Sequence, residues 1–219
     1  MMIKPKLVIF DMDGTLLDTE TLSLAGMIEV AKIMGHDMPR EIFEAIMGCN
    51  AAYARHYILT QYGADFDYDK ADILHKEYID AHIEKHGMPI KSGVEVLLDK
   101  LELLGIKKCV ATSTDKERAT HKLTLANLAH RFEVIVGGDE VKESKPNPEI
   151  FLKAAAYCQT APKDCLVLED TIAGTKGAVS AKMPVIIIPD IAPLTDEVKA
   201  DALKICKDMH EVASIISGL

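Results

Sequence analysis

The sequence predicts an α/β protein: a doubly wound, mainly parallel sheet with a helical segment inserted after its first strand. Two patterns carry that reading. Beyond Pro89, short apolar runs alternate with segments of helical periodicity, as parallel βαβ units require. Between about Thr21 and Gly87 the strand-like runs disappear and apolar residues recur only at helical spacing. The chain then divides into a discontinuous α/β core, residues 1–17 and 90–219, around a helical insert, residues 18–89. The connections fall at Leu17-Asp18-Thr19 and at Pro89.

The elements follow in order. Lys6 to Phe10 is an apolar run that stops at Asp and Gly, which marks a buried strand. In the insert, Leu22, Met27, Val30 and Ile33 form one predicted stripe. Pro39 suits the first turn of a further helix, and Gly35, Gly48, Gly63 and Gly87 punctuate the segment. Ser92-x-x-Glu95 reads as a capping box opening a helix to about Leu104. Strands are expected at Ile106–Thr112, Phe132–Val136, Leu166–Leu168 and Val185–Ile188. Helices are expected at Lys116–Ala126, from Asn147-Pro148 to about Tyr157, at Ala173–Ala181 and at Glu211–Ile216.

Composition narrows the function. The 219 residues are 48% hydrophobic and 27% charged, ordinary for a globular chain, with net charge −9. An acidic chain gains no counterion-release attraction to nucleic acid or anionic membrane, so neither is an expected partner. Five scattered cysteines without a C-x-x-C pair argue against a disulfide framework or zinc knuckle. The apolar start, Met1 to Phe10, is too short for a signal peptide, and Pro184 to Pro189 is too short to span a bilayer. A cytoplasmic monomer is the expectation.

Chemistry-bearing residues gather at the predicted carboxyl ends of four strands, where ligands bind in sheets of this kind. They are Asp11-Met12-Asp13-Gly14-Thr15, Thr112-Ser113-Thr114-Asp115, the loop Lys142 to Lys145, and Glu169-Asp170-Thr171. Asp11, Asp13, Glu169 and Asp170 would crowd negative charge into one crevice, which calls for a counter-charge. Mg2+ supplies one through oxygen ligands, with Asp11 and Asp170 the first-choice carboxylates. A carboxylate also serves as nucleophile, so Asp11 can form an aspartyl-phosphate. Lys145 and the Thr112 hydroxyl suit the remaining phosphate oxygens, and Ser113 could share that role. Gly14 lets backbone approach the phosphate. Asp13, two residues on, can protonate the leaving oxygen and then activate water.

Each cluster has a plainer reading. Asp-Gly is common in turns, Lys145 could be an exposed loop lysine, and Thr112 could cap the following helix. Glu169 and Asp170 could be an acidic pair favoured by a helix dipole. His75, His82 and His86 share helical spacing, but a solvated helix face explains them better than a metal site. Arg55 in the insert could contact substrate or be an ordinary surface arginine. Asn50 and His56 lie in the same segment.

The run FDMDGTLLDTE resembles the first motif, D-x-D-G-[TV], of the haloacid dehalogenase-like superfamily. VATST, KESKPNP and LVLEDTIAG resemble its second, third and fourth motifs, in order and across nearly the whole chain. The resemblance implies a Rossmann-like core, Mg2+ and a covalent aspartyl intermediate. It implies Asp11 as nucleophile, Asp13 as general acid/base, phosphate binding by Thr112 and Lys145, and metal binding at Asp170 with Glu169 beside it. The insert resembles the α-helical cap of the β-phosphoglucomutase and small-phosphatase branch, which opens to substrate and closes against water.

The implied activity is phosphatase action on a small phosphorylated metabolite, a sugar phosphate first. Dehalogenases of the superfamily lack the second aspartate and need no magnesium, so Asp13 argues against them. The nearer alternative is a phosphohexomutase. Against it, Glu20 to Leu24 holds no hinge histidine, Thr15 stands where those enzymes have Val, and no basic residue follows Gly48 in Cys49-Asn50-Ala51-Ala52. A non-catalytic binding or regulatory protein is a distant third reading, since every catalytic position is filled.

Overall fold

Residues 4–46, 51–63 and 65–218 are described in the computed structural model. Gly48, Cys49 and Asn50 lie outside them. All four residues of β1 (Leu7–Phe10) are fully buried, because this strand has neighbours on both edges and helices over both faces. It pairs in parallel with β2 (Lys107–Ala111) and with β4 (Cys165–Glu169). Outside these lie β3 (Val134–Val136) on one flank, and β5 (Val185–Ile187) and β6 (Lys204–Ile205) on the other. The order is β3-β2-β1-β4-β5-β6, every pairing parallel. The chain leaves β1 toward β2 and β3, then crosses to β4, so the switch point lies between β1 and β4.

Two compact units result: Met1–Asp18 with Ile90–Leu219, and Thr19–Pro89. In the first, side chains alternate across the sheet. Leu7, Ile9, Cys109 and Val167 join one apolar cluster with Phe151 and Ala154 of α7 (Glu149–Tyr157) and Ala178 of α8 (Ile172–Ser180). Phe10 points the other way and meets Phe132 edge-on at 5.6 Å. α5 (Val94–Leu103) and α10 (Met209–Ser217) pack on each other, and α6 (Lys116–Leu125) packs beside β3. The second unit holds α1 (Thr19–Ile33), α2 (Arg40–Ile46), α3 (Ala51–Tyr62) and α4 (Tyr68–His86). No strand occurs among its described residues.

Two expectations need correction. Ile33 is 61% exposed and off the packed face of α1, which buries Leu22, Gly26, Val30 and Ala31 instead. The Ser92 capping box is not made: α5 is capped by Gly93 at φ +83°, with no side-chain cap bond. A Cβ on Gly93 would come within 2.5 Å of the His210 backbone nitrogen, so packing against α10 selects glycine there. The structure adds α9 (Asp196–Asp201) and the two-residue β6, which carry no signal in the sequence.

The described cysteines, Cys109, Cys158, Cys165 and Cys206, are free and buried. No helix among the described residues is long and apolar enough to cross a membrane.

Candidate active site

The strand register gathers the candidate residues. Phe10 lies level with Val110 on one side and Leu168 on the other. Asp11, Thr112, Glu169 and Asp170 therefore emerge together at neighbouring strand ends. The Asp11 amide still donates to the Leu168 carbonyl at 2.9 Å, so the ladder fixes this backbone one residue past the strand.

Lys145 reaches the same point from the loop before α7. Its ammonium donates to Asp11 Oδ1 at 2.5 Å and to Glu169 Oε1 at 2.7 Å. All three side chains are less than a tenth exposed. Glu169 Oε2 accepts from the amides of Asp170 and Thr171, at 3.0 and 2.9 Å, and from the Thr171 hydroxyl at 2.8 Å. That hydroxyl also accepts from the Gly174 amide at 3.0 Å and so caps α8. Glu169 thus spends both oxygens on protein donors. A Cβ on Gly174 would fall 1.7 Å from Glu169 Oε1. Gly174→Ala is accordingly expected to destabilise the fold by about 1–3 kcal/mol, through forced displacement of this carboxylate. Urea denaturation measures it, and an unchanged midpoint would show that Glu169 moves without cost.

One ammonium cannot offset three neighbouring carboxylates. Burial pushes the Asp11 carboxyl up to about 8, with the charges of Glu169 and Asp13 adding and Lys145 opposing. Burial, then Glu169 and Asp11, hold Asp170 well above the usual carboxylate range, against Thr15 and Lys145. Burial works to lower Lys145, but Asp11 and Glu169 outweigh it and keep its proton on.

Asp13 sits to one side. Its Oδ1 accepts from Lys122 of α6 at 2.7 Å and its Oδ2 from the Thr114 hydroxyl at 2.8 Å. Thr112 is buried, and its hydroxyl oxygen accepts from the Thr114 amide at 3.1 Å. Ser113 is exposed. Thr114 belongs to the second strand-end cluster, though the sequence assigns it no separate role; Lys122 goes unnoticed there, because a lysine inside a helix carries no signal of what it will meet.

The donor set suits a hard cation. Thr15 donates to Asp170 Oδ1 at 2.8 Å, and Asp170 Oδ2 lies 2.3 Å from where a Cβ on Gly14 would stand. Gly14, at φ +84°, leaves that volume open. The buried Asp190 Oδ2 faces the same point at 3.1 Å and has no hydrogen-bond partner. No group of three His, Cys, Asp or Glu side chains converges as a metal cage among the described residues. Mg2+ needs no such cage, since one or two carboxylates and retained waters suffice. Asp11 and Asp170 each accept from protein at one oxygen, Oδ1, and could offer the other to a cation, whereas both oxygens of Asp13 and of Glu169 accept from protein donors.

Other sequence candidates are accounted for within the helical unit. Arg55 pairs with Asp69 and lies over the Tyr68 ring. His75 meets Ser23, and His82 stacks on Tyr78 with the His86 ring tilted against it. A cavity of about 110 Å³ there, bounded by Met27, Val30, Ile58, Phe66 and His75, contains no residue of the four strand-end clusters.

Comparison with known proteins finds relatives along most of the chain. A Bacillus subtilis (strain 168) protein named "putative phosphatase YhcW" is 32% identical over 186 residues, 84% of this chain and 84% of its own. The phosphorylated carbohydrates phosphatase of Thermotoga maritima is 30% identical over 177 residues, 80% of each chain. The crystal structure of a "putative beta-phosphoglucomutase" from Thermotoga maritima superposes with a TM-score of 0.81 at 26% identity, over 98% of this chain and 99% of that one. Residues 8–188 match the haloacid dehalogenase-like hydrolase family, and the chain belongs to it.

Proposed function

We propose that this chain is a Mg2+-dependent phosphatase of small phosphorylated metabolites, sugar phosphates first, acting through an aspartyl-phosphate on Asp11. The observation that carries the reading is the buried Asp11–Lys145–Glu169 contact at the switch point between β1 and β4. The naming of its relatives as phosphatases, one of them for phosphorylated carbohydrates, supports the same class.

Asp11 attacks phosphorus with a carboxylate oxygen as the bond to the leaving oxygen breaks, and Asp13 gives that oxygen a proton. Asp13 then takes a proton from water as the water attacks phosphorus. The bond to Asp11 breaks, releasing inorganic phosphate and restoring the carboxylate. Lys145 and Thr112 donate to the phosphoryl oxygens, and Lys145 keeps Asp11 oriented. Glu169 holds Lys145 in place. Asp11 and Asp170 would hold Mg2+, which would supply positive charge against the phosphoryl group.

The test is phosphate release from a panel of phosphorylated metabolites, with Mg2+ and with EDTA. Release that requires Mg2+ supports the assignment, and full activity in EDTA overturns it. A phosphohexomutase is the second reading, favoured by the structural likeness to the Thermotoga maritima protein named for β-phosphoglucomutase. Interconversion of hexose phosphates without net phosphate release would establish it instead.

Stability should report the cation independently. A carboxyl whose pKa is raised by folding favours the folded chain while it keeps its proton. Asp11 supplies that advantage fully near pH 4 and loses it as pH rises through about 8. The metal-free thermal midpoint should therefore fall with rising pH across this window. Added Mg2+ should raise the midpoint more at about pH 8.5 than at about pH 5, because the ion favours the ionised pair. An equal rise at both values would place the ion elsewhere.

A further inference from the structure

A second carboxylate faces the Gly14 cradle, from a strand end that the four clusters do not include. Asp190 follows β5, and the Ile188 amide ties its loop to the Glu169 carbonyl at 2.8 Å. Lys91 donates to Asp190 Oδ1 at 2.7 Å and lies 3.5 Å from Asp18 Oδ1. The Lys91 backbone is itself fixed, donating to the Leu16 carbonyl at 2.9 Å. A lysine anchored in this way holds the Asp190 carboxylate in one rotamer. The Asp190 side chain is only 7% exposed, and its Oδ2 has no hydrogen-bond partner yet points at the volume left by the missing Gly14 side chain. Asp170 Oδ2 borders the same volume, with its own Oδ1 held by Thr15. Two carboxylates are thus arranged alike, each with one oxygen pinned by a donor and the other turned to the cradle. A buried carboxylate oxygen without a donor is costly, and such atoms in native folds call for a ligand, water or ion.

We infer that Asp190 Oδ2 is the acceptor for a water in the hydration shell of a divalent cation held by Asp11 and Asp170, with Lys91 as the positioning residue. The inference rests on the metal reading of the site given above. Partners of this outer kind commonly set metal affinity, and their loss costs about 10–100-fold.

The experiment is Mn2+ titration of the substrate-free protein, followed by the electron paramagnetic resonance signal of the free ion. Asp190→Asn should weaken binding about 10–100-fold. Asp18 Oδ1 is likewise buried without a hydrogen-bond partner but faces Lys91 and is not among the atoms nearest the Gly14 volume, so Asp18→Asn removes the same unit of charge beside the same lysine and should leave affinity unchanged. Equal losses in the two variants would reduce the effect to long-range charge and overturn the proposal, as would unchanged affinity in Asp190→Asn. Asp170→Asn separates the two readings. If it abolishes binding while Asp190→Asn does not weaken it, only the role of Asp190 falls. If it too leaves binding intact, the cation site falls with it. Thermal melts check folding, and the double variant Lys91→Met/Asp190→Asn, which removes the ion pair as a unit, should show the same loss should Asp190→Asn alone not fold.

Discussion

Asp11→Asn should lower phosphate release by about 10⁴-fold or more while the protein still folds. The amide is isosteric with the carboxylate but offers no nucleophilic oxygen. Folding survives because the backbone of residue 11 is held by its bond to Leu168, not by the side chain. Lys145 also keeps Glu169 as its partner. Above pH 7 the metal-free variant should melt no lower than the parent, because the parent must ionise a carboxyl that burial resists. Release assays and circular dichroism melts on the same samples check both halves. Retained turnover would end the aspartyl-phosphate reading. A lost fold would mean that the Asp11–Lys145 contact is chiefly structural.

Lys145→Met should be the most destabilising change at the site, by about 3–5 kcal/mol near neutral pH. The side chain is only 5% exposed, and its removal strands Asp11 and Glu169 together without a cation. The loss should shrink in acid. Without the ammonium, which opposes the burial of the Asp11 charge, Asp11 takes up its proton more readily, and a neutral Asp11 does not repel Glu169. Urea denaturation at about pH 5 and about pH 8 resolves this, with the larger deficit expected at the higher pH. Equal deficits would point to lost packing against Phe151, whose ring lies 5.1 Å from the ammonium, and not to charge. Turnover should fall by about 10²–10³-fold, as when a preorganised donor to a developing charge is removed.

The core was legible because its strands are buried on both faces. Val8 and Ile9 are fully buried, and a run of that kind leaves few other readings. β6 escaped notice because Lys204 and Ile205 are exposed and the strand is two residues long, so no apolar pattern marks it. The cap of α5 was misread for a related reason. Ser92 and Glu95 have suitable spacing, but the close approach of His210 decides the geometry, and that contact is remote in sequence. At the site, Asp11, Thr112 and Asp170 stand out as polar residues closing apolar strands, and Lys145 by its place in the polar loop that follows β3. Asp190 lies three residues past the end of β5, in the loop beyond Pro189, and widening the same rule to those loops finds it. Lys91 and Lys122 could not, because their roles depend on which carboxylates the fold carries to them.

The antiparallel bridge between Leu17 and Ile90 has a consequence for how such a protein can change. The two chain ends from which the helical segment departs are already paired inside the α/β unit. Closing a loop between ends so held costs little that depends on the loop's length, since that cost grows only logarithmically. The segment is in effect a cassette: it can be lengthened, exchanged or rewritten while the register that sets Asp11 against Lys145 stays as it is. One α/β scaffold can then carry unrelated inserts, with novelty gathering between residues 18 and 90 and the strand ends left untouched.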